Sequence, residues 1–310
     1  MPHALLIHGP QGVGKLALAE RFAQLLVCET AGQGTEPCGT CSSCRWFLGA
    51  NHPDVRYVEP EALGRYAAQA EEDEAAPAKA AKPSTEIKIE QVRAIADFVN
   101  VGSHRGGRRV AIVHPAEDMN AASANALLKN LEEPPAGAFF LLVSHRPARL
   151  LPTIRSRCVA VPVPVPDSKT AEAWLAAQGV SNPARWLAFA GGAPRRALEI
   201  ASGDEAVALA GLLRAIEAGD WQAAAAVPDR ETLALLAEVL QKVALDRAFG
   251  SIAGQRRFLP ELGPGVIAEP AQWLAYAREM GRNRLLARHP LNPRLFAAEM
   301  LAGYPGRSDK

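Results

Sequence analysis

Three short stretches carry residues whose type and spacing suit them to chemistry. The first is GPQGVGKL, residues 9 to 16, which follows the apolar run ALLIH and opens the helical pattern KLALAERFAQLL. Gly9, Gly12 and Gly14 would let backbone N–H groups curl around a phosphate. The start of a helix adds partial positive charge there, and Lys15 could bridge terminal phosphates, so these four residues are read as a phosphate loop. The next position breaks the pattern. Leu16 stands where a Ser or Thr hydroxyl would hold magnesium, and the apolar run RVAIV closes on His114 and Pro115, neither of which is a carboxylate. Glu117 and Asp118 follow two and three residues later and are expected to face away from the phosphates. Phosphoryl transfer depends on positioning and charge, so losing the metal's ligands removes its largest contribution. ATP is expected to be neither cleaved nor held firmly.

The second stretch is a cysteine module with the spacing C-x9-C-x2-C-x2-C: Cys28, Cys38, Cys41 and Cys44, in a loop that also contains Gly32, Gly34, Pro37 and Gly39. Four thiols on a turn-rich loop can surround zinc tetrahedrally, and an iron–sulfur centre fits less well. With all four positions filled the metal would brace the loop and not activate water. His52 is assigned to a surface turn, not to the ligand set. Cys158, at the head of an apolar strand, reads as a small buried hydrophobe. The third stretch is HRPARLLPTIRSRC, whose Arg155 and Arg157 lie just before the last strand pattern, where their forked guanidiniums suit phosphate oxygens. A basic turn, SHRGGRR with Arg105, Arg108 and Arg109, reads as solvated arginines before a core strand.

The elements that position these residues follow from the hydrophobic pattern. ALLIH, DVRYV, RVAIVH, AFFLLVS and CVAVPV alternate with helical stretches whose apolar residues recur three and four apart. That alternation predicts an α/β domain with a mostly parallel sheet in a three-layer arrangement over residues 1–164. Residues 67–83 carry no large apolar side chain and read as a disordered insertion. Pro162, Pro164 and Pro166 mark a hinge, after which only helical patterns appear: a small helical domain over 165–203, then a helical C-terminal domain over 204–310. There Trp221, Trp273 and Tyr276 fit either packing or a partner face. Only Met1, Pro2 and His3 precede the first strand, so a further N-terminal segment is expected to be missing or trimmed.

Composition narrows the class. Hydrophobic residues make up 48% and charged residues 22%, an ordinary globular balance over 310 residues. A net charge of +1 gives no general attraction to a polyanion, so any contact with nucleic acid must be local or indirect. No membrane span or secretory signal is visible, and clustered cysteines favour metal over disulfides, which predicts a cytoplasmic protein.

The chain resembles the clamp-loader subunits of bacterial DNA polymerase III, members of the AAA+ superfamily. The resemblance rests on HALLIHGPQGVGKLALAERFAQLL, the Cys28 to Cys44 module, IKIEQVRAI, NAASANALLKNLEEPP, FFLLVSHRPARLLPTIRSRC, GGAPRRALE and LNPRLFAAEML. It implies an AAA+ domain, a helical lid and a C-terminal collar, within a hetero-pentameric loader containing gamma or tau and delta subunits. Such a loader opens a sliding clamp and places it on primed DNA. The resemblance also implies that Arg157, in Ser156-Arg157-Cys158, acts as an arginine finger in the ATP site of the neighbouring gamma or tau subunit. Ser144 and Arg195 match sensor positions, expected to be kept for structure and not for sensing nucleotide. Glu132 and Glu133 are expected to shape the surface near the loader's ATP sites or DNA passage. Leu16 and the His114-Pro115 pair set the chain apart from an ATP-hydrolysing gamma or tau subunit. The cysteine module and the Ser-Arg-Cys motif disfavour a standalone ATPase or nucleotide kinase, and no base-reading element supports a direct DNA-binding module.

Overall fold

The computed structural model describes residues 2–30, 34–64, 83–101, 107–263, 265–287, 289 and 291–307. Residues 67–82 of the expected insertion, Gly32 and Arg105 therefore lie outside the described residues. The chain divides into two compact units, Met1–Val165 and Pro166–Lys310.

The first unit is a three-layer α/β domain. Its elements are β1 (Ala4–His8), α1 (Lys15–Val27), α2 (Ser42–Leu48), β2 (Val55–Val58), α3 (Ile89–Asn100), β3 (Arg109–Val113), α4 (Ala121–Glu132), β4 (Ala138–Ser144), α5 (Pro152–Arg155) and β5 (Val159–Pro162). All strand pairs are parallel, in the order β2-β3-β4-β1-β5. Alternate residues of β1, β2, β3 and β4 enter opposite cores, while the edge strand β5 is largely exposed. Ile7, Val110, Ile112, Leu141 and Val143 pack with Ala19, Ala23 and Leu26 of α1. Leu6, Ala111, Val113, Phe140 and Leu142 pack with Val92 and Ile95 of α3 and Leu127 and Leu131 of α4. Cover on both faces leaves no room for polar alternation, which is why the central strands β3, β4 and β1 read as continuous apolar runs.

The basic turn before β3 does not have the solvated character expected of it. Arg109 is buried, with its Nε 3.4 Å from an Asp54 carboxylate oxygen, a donor contact to the Phe98 carbonyl, and its guanidinium 4.7 Å from the Phe98 ring centre. Arg108 is exposed, yet its guanidinium lies 5.8 Å from the Phe139 ring centre. Arg109 is drawn inward because β3 starts beside Asp54, whose carbonyl accepts from Val110 N, and a buried carboxylate needs a cation.

The second unit is helical. A small core of Ala171, Leu175, Leu187 and Ala197 joins α6 (Ser168–Ala177), α7 (Pro183–Phe189) and α8 (Pro194–Ser202). A larger one gathers α9 (Glu205–Ala218), α10 (Trp221–Ala225), α11 (Arg230–Ala253), α12 (Pro270–Leu286) and α13 (Pro293–Ala302). Asp167, Asp220 and Asp229 cap α6, α10 and α11, each accepting from a first-turn N–H. The aromatic residues serve packing: Trp273 and Tyr276 are buried, Trp221 packs against the same core, and all three rings meet Tyr304. No helix among the described residues is long and apolar enough to cross a membrane.

Candidate phosphate loop, metal cluster and arginine turn

The glycine loop leaves the C-terminal end of β1. Gly9, Gly12 and Gly14 all have positive φ, at 153°, 80° and 98°. At Gly9 a Cβ would lie 2.1 Å from the Val163 carbonyl oxygen, so the start of the loop is wedged where only glycine fits. Its amide donates to the Ser144 carbonyl at 3.3 Å, while Val163 N donates to the His8 carbonyl at 2.7 Å. Gly14 is the N-cap of α1 and provides no side-chain acceptor, so a loop of backbone amides leads into the positive end of the helix.

Lys15 is 2% exposed and donates to the Pro10 carbonyl at 2.5 Å. Burial lowers its ammonium pKa to about 8, partly opposed by the negative charge of Glu117. Leu16 packs against the α1-side core, so a hydrophobic contact occupies the position of the metal-holding hydroxyl. Glu117 does not turn away as expected. It sits in the 3-10 turn Ala116–Asp118, and its Oε1 accepts from His145 N at 2.9 Å, just past the end of β4. Its Oε2 is buried and has no hydrogen-bond partner among the described residues. The tight turn after β3 brings this side chain back towards β4, which the offset of two or three residues from the strand end concealed.

Ser144 is fully buried and its hydroxyl accepts from Arg146 N at 3.1 Å. The structure thus places Gly9, Gly12, Gly14, Lys15 and Ser144 at one end of the sheet. Arg195 belongs to the second unit, exposed in the first turn of α8. Its neighbour Arg196 forms a two-point pair with Glu205, at 2.9 Å and 2.5 Å.

Cys28, Cys38, Cys41 and Cys44 have sulfur atoms all within 4.8 Å of one another. Cys28 follows α1, and Cys41 is the N-cap of α2, which contains Cys44. The Cys28–Cys38 and Cys38–Cys44 sulfur separations are 3.6 Å and 3.9 Å. They bracket the roughly 3.8 Å edge of a tetrahedron with metal–sulfur bonds of about 2.3 Å. Backbone amides of Cys38, Cys41 and Cys44 donate to the sulfurs of Cys28, Cys38 and Cys41, which favours thiolate. The amide of Cys41, ahead of that of Thr40, draws the Cys38 thiol down to about 5. The four residues are chemically suited to a metal ion that would tie the end of α1 to α2.

His52 is buried, not part of a surface turn. Its Nδ1 accepts from Asp54 N at 3.0 Å, so the neutral ring carries its proton on Nε2, which meets the Ser43 hydroxyl at 2.6 Å. That hydroxyl donates in turn to the Val27 carbonyl at 2.6 Å. The ring is used to hold α2 between α1 and β2, and both its nitrogens are engaged away from the sulfurs. Cys158 is half-buried against the core beneath α3 and α4, and burial pushes its thiol up to about 11.

Arg157 follows α5 and keeps 34% of its side chain exposed. One terminal nitrogen donates to the Thr153 carbonyl at 2.9 Å, and the other pairs with the carboxylate of Glu132, the last residue of α4. No local pattern points to this pair: its members are 25 positions apart and only the fold joins them. The prolines after Glu133 hint that α4 ends there, but not what its last carboxylate meets. Arg155 is exposed beside them.

A parallel sheet in this strand order, with a glycine loop between its first strand and helix, defines an AAA+ P-loop protein. A family model described as DNA polymerase III, delta subunit, matches residues 1–167. The delta' subunit of DNA polymerase III from Pseudomonas aeruginosa is 42% identical over 197 residues, covering 62% of the chain and 53% of that relative. The delta' subunit from Escherichia coli K12 is 30% identical over 283 residues, covering 89% of the chain and 78% of the relative. The chain belongs to the DNA polymerase III delta' subunit family. It spans about half the length of the Pseudomonas relative. A solved structure of a gamma subunit-related protein from Thermotoga maritima aligns over 97% of the chain and 94% of its own at 19% identity and a TM-score of 0.43, too loose a likeness to add to the topology.

Proposed function

We propose that the chain is a clamp-loader subunit of DNA polymerase III that does not hydrolyse ATP itself and lends Arg157 to the ATP site of a neighbouring gamma or tau subunit. The observation that carries this reading is the position of Arg157 in the sheet. The register pairs Leu5 with Val159 and His8 with Pro162. Arg157, two residues before Val159, therefore lies beyond the N-terminal edge of the sheet, while the glycine loop leaves the C-terminal edge. About 13 Å of strand separates them. A guanidinium there cannot serve the chain's own loop and is free to serve another molecule's phosphate.

The reading of no hydrolysis is supported by Leu16, which packs against the core where a metal-holding hydroxyl would stand; β3 ends without a carboxylate of its own, and the one that turns back from beyond it, Glu117, accepts from the His145 amide. The rival reading, an ATP-hydrolysing gamma or tau type of subunit, needs both groups. Steady-state turnover by the isolated chain above a Lys15→Ala control would favour it. Zinc is the ion that best suits four thiolates in a cytoplasmic protein, and it would supply a closed structural brace with no position open for water. Delta and gamma or tau subunits are the partners in this reading. Primed DNA would be touched weakly or through them, since Arg109 is buried and Arg108 is the one exposed arginine of the basic turn among the described residues.

The test is Arg157→Ala in a loader reconstituted with its partner subunits. DNA-stimulated ATPase should fall several-fold because one site loses its finger, with the mass of the assembly unchanged. Unchanged ATPase rejects the assignment.

A further inference from the structure

We infer that Glu132 is a positioning residue for Arg157, holding the guanidinium in the direction from which it reaches a neighbour's nucleotide; this rests on the reading of Arg157 as a finger. A long arginine on a surface turn has many rotamers, and a finger in the wrong one contributes nothing to a transition state. Here the guanidinium is held on two sides. The Thr153 carbonyl in α5 takes one terminal nitrogen at 2.9 Å, and the Glu132 carboxylate at the end of α4 takes the other. The remaining N–H donors stay available for phosphate oxygens.

The two anchors differ in what they can do. Thr153 lies four residues before Arg157, so its carbonyl moves with the arginine's own turn. Glu132 belongs to a separate helix that packs through Leu127 and Leu131 into the core, and it is placed by the fold as a whole. Its side chain is 47% exposed, so the pair contributes little to stability and its consequence is geometric. Ser156, whose hydroxyl is 3.4 Å from the first terminal nitrogen, adds a weak third contact. Glu133 is the C-cap of the helix, and its amide donates to the Lys129 carbonyl, so the last turn stays wound up to Glu132.

The experiment compares Glu132→Ala, Glu132→Gln and Arg157→Ala, singly and as the Glu132→Ala/Arg157→Ala pair, in the full reconstituted loader. Glu132→Ala should lower DNA-stimulated kcat about two- to threefold, less than Arg157→Ala does, the cost of ordering one long side chain anew in each cycle, with KM for ATP and assembled mass unchanged. Glu132→Gln keeps an acceptor oxygen and should recover part of the loss. In the Arg157→Ala background Glu132→Ala should have no further effect, because there is no longer a guanidinium to place. A Glu132→Ala loader as fast as wild type, or faster, overturns the inference. So does an equal loss in the Arg157→Ala background, which would make Glu132 a structural residue. Unchanged ATPase on Arg157→Ala alone instead removes the finger assignment itself.

Discussion

Lys15 shows at a single side chain what burying an ammonium in the glycine loop costs. Its ammonium is buried against the Pro10 carbonyl, with pKa lowered from 10.5 to about 8 by desolvation. Between those values the unfolded chain binds more protons than the folded one, so this group's contribution to stability rises with pH from about 8 to 10.5. Below about 8 the penalty is present in full. Comparing Lys15→Met with wild type by urea unfolding should give a stability difference that favours the variant most at pH 7 and shrinks towards pH 10. A difference independent of pH would mean the ammonium is solvated. Arg109 is the opposite case, a buried cation with its partner in place. Arg109→Ala takes the guanidinium away from a buried carboxylate and should cost about 3–5 kcal/mol in denaturant unfolding, whereas replacing both residues with apolar ones should cost much less. Equal losses from the single and double variants would show that the pair does not act as a unit.

Among the elements, the segment from Cys28 to Cys44 is tied down by the sulfur cluster together with the Ser43 hydroxyl, which donates to the Val27 carbonyl at the end of α1. Chelating the proposed zinc should therefore loosen this segment while the sheet, with its two apolar faces, persists. Brief proteolysis should cut between residues 30 and 44 in the chelated protein and not in the metal-loaded one, with far-ultraviolet circular dichroism nearly unchanged. Metal analysis should return zinc near one equivalent per chain, and its absence would reject the brace. What the sequence made legible divides along the same line. The central strands β3, β4 and β1 could be read because a sheet buried on both faces writes them as apolar runs, and the edge strands β2 and β5, only partly covered, still kept enough apolar residues to show. The glycine loop could be read because its requirement is local: positive φ at Gly9, Gly12 and Gly14. Polar residues whose partners lie far along the chain could not be read. Arg109 finds Asp54, His52 finds Ser43, Glu117 finds the amide of His145 and Arg157 finds Glu132, and no periodicity links any of these pairs. His52 and Arg109 looked like surface residues because their types usually are; burial with a partner is a property of topology.

For the whole molecule, the controlling fact is that apolar burial closes separately within Met1–Val165 and within Pro166–Lys310. The helical unit centres on α11, whose Leu233, Leu236, Val239, Leu240 and Val243 are wholly buried. It also buries Glu238, which is paired with Lys242 and, at 2.8 Å, with Arg284 of α12. Each of these partners comes from within the unit, so residues 166–310 expressed alone should fold and unfold cooperatively in urea. In the proposed loader this fragment has the helices that would join the collar and lacks both the glycine loop and Arg157. It should enter the assembly in place of the full chain, as judged by mass, and yield a loader whose DNA-stimulated ATPase falls at least as far as that of Arg157→Ala. The comparison separates two contributions of one chain. A fragment that folds but fails to assemble would place part of the subunit contact on the α/β unit. A fragment that assembles and restores full ATPase would show that nothing in the α/β unit acts on a neighbour's nucleotide.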